Sequence, residues 1–293
     1  MWGALEIGLI FGLVALGVLI SFRILRFPDL TVDGSFPLGG AVAAILISQG
    51  NDPFLATVVA TFAGAIAGTI TGWLNVRLKI MDLLASILMM IALYSINLRI
   101  MGRPNVPLIM EPTVFTILQP ESIADYIARP LMLIGLVIIA KLALDWFFGT
   151  QTGLAMRATG ANARMARAQG VATGNMLLLG MAISNALVAL AGALFAQSQG
   201  GADISMGIGT IVIGLAAVIV GESILPARKL FYATLAVVLG AILYRFFIAL
   251  ALNADVIGLK AQDLNLVTAL LVTVALVIPL LKKKRARKQK GAQ

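Results

Sequence analysis

The chain has 293 residues, of which 60% are hydrophobic and only 12% charged, with mean hydropathy +1.00. A soluble domain carries roughly a quarter charged residues, so this composition excludes a water-soluble globular protein and specifies an integral membrane protein. Net charge is +9, but the tail KKKRARKQK holds seven of the basic residues and the rest flank apolar runs, a pattern for lipid headgroups rather than nucleic acid. With no cysteine and no histidine, disulfides, thiol chemistry, soft-metal sites and imidazole catalysis are also excluded.

The opening stretch, MWGALEIGLIFGLVALGVLISFR, contains Glu6 and lacks a basic start. It is expected to stay as a membrane span and not to be cleaved as a signal. A helical crossing takes about 20 residues at about 1.5 Å each. Apolar runs of that kind lie near 2–22, 53–73, 82–98, 130–148, 174–197, 230–251 and 264–281. Two shorter runs, 35–48 and 206–221, carry glycines near their starts. Counting both, the expected fold is an all-α integral membrane bundle with about nine crossings, a single domain over 1–281, and a basic tail over 282–293.

Within DLTVDGSFPLGG (29–40), Asp33 and Ser35 suit a helix N-cap and Pro37 a first turn. Asp33 is read either as such a cap or as an ion site beside the membrane. GAIAG (64–68) is a small-xxx-small motif for close helix packing, and Gly207, Gly214 and Gly221 recur every seven residues with the same implication. Tyr94, Ser95 and Asn97 cluster in the fourth span, Ser184 and Asn185 sit inside the sixth, and Thr210 lies in the second short run. Polar residues are disfavoured against lipid, so these six are candidates for a translocation path, with helix–helix hydrogen bonding as the competing reading. Lys141 and Asp145, spaced i, i+4, are expected to pair. The loop 101–128 is punctuated by Pro104, Pro107, Pro112 and Pro120, and SIADYIARP within it suits a short surface helix.

Nine crossings put the termini on opposite sides. With the tail in the cytosol, the cytosolic segments hold Arg23, Arg26, Arg77, Lys79, Arg157, Arg164, Arg167, Arg228, Lys229 and the seven of the tail. Only Arg99, Arg103, Arg129 and Lys260 then lie outside. The positive-inside bias therefore predicts an external N-terminus. The order of a short run, a small-residue span and a further span occurs twice, at 35–98 and 206–281, in opposite directions. That is the pattern of an inverted repeat.

Residues 153–170, GLAMRATGANARMARAQG, interrupt the apolar pattern with three arginines and no acidic residue. Good helix formers on both sides, Asn162 as an N-cap for a second piece, and Gly160 and Gly170 as limits predict one or two short cytosolic helices. Such a segment either docks on another protein or lies as an amphipathic anchor on lipid.

TGLAMRATGANARMARAQGV resembles the cytosolic coupling loop of ABC importer permeases, and most closely the branched-chain amino-acid and ribose permease family. MGIGTIVIGLAAVIVGESI, ARKLFYATLAVVLGAILYRFFIALAL and LRFPDLTVDGSFPLGGAVAA resemble that family in the same order. The last is most similar to small permeases paired with binding proteins for aromatic amino acids or other small ligands. The resemblance implies a bacterial inner-membrane subunit working with a cytosolic ABC ATPase, an extracytoplasmic solute-binding protein and a second permease copy. It also implies that Met156, Arg157, Asn162, Ala163, Arg164 and Arg167 form the ATPase contact. No GxxxxGK[ST] phosphate loop is present, so hydrolysis would belong to a separate subunit. No catalytic group, cofactor or metal is expected. The rival class, a secondary transporter or facilitator, would need ionisable coupling groups deep in the membrane, and Lys141 and Asp145 neutralise one another.

Overall fold

The computed structural model describes residues 2–118, 125–225, 229–253 and 273. The helices are α1 (Trp2–Val18, continued by a π-helical turn Leu19–Ile24), α2 (Val32–Ser48), α3 (Pro53–Leu78), α4 (Asp82–Met101), α5 (Val114–Leu118), α6 (Asp125–Gly149), α7 (Gln151–Ala161), α8 (Ala163–Ala168), α9 (Thr173–Gln199), α10 (Thr210–Ile224) and α11 (Leu230–Asn253). Among the described residues, 7 helical segments are long and apolar enough to cross a membrane, and Val32–Ser48 is a shorter apolar helix. Helices thus stand at eight of the nine expected apolar runs, and seven of the eight are long enough to cross. The ninth, at 264–281, and the tail at 282–293 lie outside the described residues, as does the last member of the expected repeat.

The helices form where local chemistry allows them to start and stop. Asp52 caps α3 by accepting from the Phe54 N–H at 3.2 Å, with Pro53 in the first turn, where its missing N–H is no loss. Lys79 ends α3 in the left-handed region at φ 60. Two elements differ from expectation. SIADYIARP is not a separate surface helix: from Asp125 onward it belongs to α6, which carries Pro130 in its early turns. The chain is also not purely helical. β1 (Asn105–Pro107) pairs antiparallel with β2 (Gly201–Asp203), in the register Val106 opposite Ala202. Asn105 Nδ2 donates to Asp203 at 3.3 Å. The Ser205 hydroxyl, bonded to the Asp203 carboxylate, holds that group below its ordinary pKa.

The centre of the bundle is α9, packed against α1, α2 and α3. Small residues make this contact close, as GAIAG predicted. A Cβ at Gly68 would stand 2.1 Å from the Met181 carbonyl oxygen, and one at Gly192 only 1.9 Å from that of Phe36. Backbones at that separation gain dispersion contacts that larger side chains would prevent. Gly214 and Gly221 pack the same way, against Val18 and against the Ala236 carbonyl. Phe36 stacks on Phe11 with ring centroids 5.6 Å apart. Lys141 Nζ lies 2.6 Å from Asp145 Oδ2 and over the Phe231 ring, and Thr234 donates to Asp145 at 2.8 Å. Arg245 lies over the Phe11 ring, 4.4 Å from its centroid. The expected pairing on α6 is therefore present, and it tethers α6 to α11.

The second short run is broken. A 3-10 turn (Ile204–Gly207) precedes Gly209 at φ 81, and α10 starts only at Thr210. Because Gly214 abuts Val18 and Val14, α10 begins alongside the middle of the first span. Its 15 residues reach about 22 Å, short of a bilayer core of about 30 Å, so the segment is long enough to cross only with the preceding turn, over Ile204–Ile224.

Candidate functional site: a membrane cavity and a basic loop

Where α2, α4 and the stretch before α10 meet, a cavity of about 490 Å³ is lined by Asp33, Gly34, Pro37, Met90, Ile91, Tyr94, Ser95, Asn97, Ile204 and Ile208. Three of the six path candidates, Tyr94, Ser95 and Asn97, are thus brought to one wall. Tyr94 and Ser95 are exposed, whereas Asn97 is fully buried. Asn97 Nδ2 donates to the Gly34 carbonyl at 3.1 Å, and its Oδ1 is buried without a hydrogen-bond partner.

Asp33 reaches this wall in a way the sequence did not suggest. It lies in the first turn of α2 but does not cap that helix; the residue at the cap position, Thr31, makes no side-chain cap bond. Instead Asp33 Oδ1 accepts from the Ile211 N–H at 2.7 Å. That N–H is one of the unpaired donors at the start of α10, where a negative charge is favoured.

Ser184, Asn185 and Thr210 are not on this cavity. All three are buried, and the first two are consumed by structural bonds. Ser184 Oγ donates to the Gly17 carbonyl at 2.7 Å. Asn185 Nδ2 donates to Asp29 Oδ2 at 2.8 Å, and Asn185 Oδ1 accepts from Ser35 Oγ at 2.7 Å. Asp29 also accepts from the Thr31 N–H at 3.0 Å, and Thr31 shares a hydroxyl bond with Thr71 at 2.9 Å. The helix-bonding reading accounts for Ser184 and Asn185. Asp29, a fully buried carboxylate, was missed; its signal was an acidic residue closely flanked by two apolar runs.

The basic loop folds into α7 and α8, as its composition predicted. Thr150 caps α7 through the Gly153 N–H, and Asn162 caps α8 by accepting from the Met165 N–H at 3.1 Å. Gly170, at φ 82, follows the end of α8. Gly160 does not end a helix. It lies inside α7, where a Cβ would stand 1.7 Å from the Ile24 carbonyl oxygen. Its role is close approach to the turn that ends the first span. Met156 is fully buried, with its sulfur against Gly180 and Leu25 nearby. It therefore anchors the loop to the bundle and is not available as a contact for another protein. Arg157, Asn162, Ala163, Arg164 and Arg167 are exposed. Arg167 donates to Thr173 at 3.2 Å, while among the described residues Arg157 and Arg164 make no ion pair.

The family described as branched-chain amino acid transport system / permease component matches residues 3–280. The chain belongs to that family. This permease is 38% identical over 264 residues to a tyrosine transport system permease protein of Clostridioides difficile (strain R20291), covering 90% of this chain and 86% of that one. It is 36% identical to an uncharacterized protein of Rickettsia prowazekii (strain Madrid E), over 93% of this chain and 95% of the relative. A galactofuranose transporter permease protein of Escherichia coli (strain K12) is 27% identical, over 85% of this chain and 71% of that one. No solved structure matches. The permease is thus a multi-pass membrane component of an ABC-type transport system.

Proposed function

We propose that this permease is the membrane subunit of an ATP-driven importer for an amino acid, two copies of it standing above two cytosolic ATPases. The N-terminus lies outside, and solute arrives on an extracytoplasmic binding protein. The excess of arginine and lysine on the α7–α8 side supports this orientation. The tyrosine transport permease among its relatives supports an amino acid as cargo.

One observation carries the coupling role. The α7–α8 unit is fixed to the bundle by Met156 and Gly160 on one face, while Arg157 and Arg164 on the other are exposed and unpaired among the described residues. A rigidly mounted lever with free guanidinium groups suits a groove on an ATPase offering carboxylates or carbonyls. A lipid anchor would depend on total charge, at about 1 kcal/mol per basic residue. Ala163 and Arg164 open the first turn of α8, where glutamate is compatible with the helix dipole. The double variant Ala163→Glu/Arg164→Glu should therefore insert normally but lose its ATPase, or retain one that hydrolyses without transport. Normal transport by that variant, with ATPase bound, would overturn the reading.

A further inference from the structure

We infer that the cavity between α2, α4 and the start of α10 is a solute site selective for a protonated amine attached to an apolar or aromatic body, with Asp33 as its acceptor. This rests on the proposed amino-acid import and names where and by what group the permease itself holds the cargo.

The cavity's volume, about 490 Å³, lies in the range of small-molecule sites, which are mostly apolar with few polar groups. Its apolar wall comes from Met90, Ile91, Pro37, Ile204 and Ile208, with Tyr94 adding an aromatic face. Asp33 is the charged residue in this lining. It is partly exposed although most of α2 is buried, and the backbone N–H groups of Ile211 and Gly209 use two of its lone-pair sites; a carboxylate has about four. A second acceptor, Asn97 Oδ1, is fully buried, unpartnered and on the same wall. An anionic acceptor with lone-pair sites to spare, beside a second acceptor that has no donor, suits an ammonium group, which has three donors and no acceptor.

The same geometry argues against a site for the cargo's carboxylate. The electropositive start of α10, which would attract an anion, is already occupied by Asp33. An uncharged sugar would leave Asp33 with only the start of α10 as its partner and no cation on its cavity side, and an anion would add repulsion. Selection therefore falls on the amine end, and the carboxylate end contributes little.

The chain contains no cysteine, so Ser95→Cys gives a single thiol on the cavity wall. The detergent-purified Ser95→Cys permease is labelled with monobromobimane in the presence of tyrosine, tyramine, or 3-(4-hydroxyphenyl)propanoate, which lacks the amine. Tyrosine and tyramine are expected to slow labelling alike, and the propanoate to leave it unchanged. Asp33→Asn in the same background keeps an oxygen for the Ile211 N–H. It should raise the half-protecting tyramine concentration by about tenfold or more, as expected for loss of a charge-assisted bond. The inference is overturned if no amine protects, if the propanoate protects as well as tyrosine, or if a folded Asp33→Asn variant is protected like its parent. Should Asp33→Asn fail to fold, the comparison of the three probes on Ser95→Cys alone still decides. Co-purification with an ATPase is scored separately. Amine protection without a bound ATPase keeps the site and removes the importer, and the reverse result keeps the importer and removes the site.

Discussion

Asn185 donates to Asp29 at 2.8 Å across 156 residues of sequence, and both side chains are fully buried. The bond joins the middle of α9 to the link between the first span and α2. Through Ser35 and Thr31 it reaches α2 and, by the Thr71 hydroxyl, α3.

Removing the amide leaves a buried carboxylate with one fewer donor. Asn185→Ala should lower stability by about 3 kcal/mol, read as a fall of several degrees in the thermal midpoint of the detergent-purified permease. A midpoint equal to the parent's would show that the network carries no stability.

The helix contacts around α9 predict opposite outcomes for chemically identical changes. At Gly192 a Cβ meets the Phe36 carbonyl oxygen, whereas at Gly135 nothing lies within 4 Å. Gly192→Ala should destabilise by about 1–3 kcal/mol or more through overpacking. Gly135→Ala, inside α6, should be neutral or gain up to about 1 kcal/mol in helix propensity. Melting curves of the two variants check this directly, and equal midpoints would refute the packing argument.

The pair on α6 predicts a thermodynamic cycle. Lys141 and Asp145 are both nearly buried, with side chains 8% and 13% exposed. Lys141→Met alone strands a carboxylate and should cost about 3–5 kcal/mol, while Lys141→Met with Asp145→Leu should recover most of the loss. Additive losses in the double variant would show that the pair is not coupled.

Topology has its own measurement. In the cysteine-free background, Met110→Cys, at a position 93% exposed, should react with an impermeant thiol reagent in intact cells, and Gln169→Cys beside α8 only after lysis. The reverse pattern would invert the proposed orientation.

Much of this architecture could be read from local chemistry. Apolar run length gave the spans, Asn162 gave the break between α7 and α8, GAIAG gave the close contact with α9, and the Lys141–Asp145 spacing gave the ion pair. Each rests on residues within a turn or two of one another. What escaped depends on partners far away in sequence. Asp33 looks like a local cap until Ile211, 178 residues later, claims it. Asn97 and Asn185 are equivalent as polar residues in spans, but one meets a cavity and the other a buried carboxylate. The strands β1 and β2 have three residues each, too few for an alternating pattern to register.

That small sheet has a mechanical consequence. β1 follows α4 and β2 follows α9, so six residues of chain tie together the ends of two helices that each pack against α2 and α3. Any motion that parted these two ends would first have to break the β1–β2 ladder, so the cheaper movements carry both ends together.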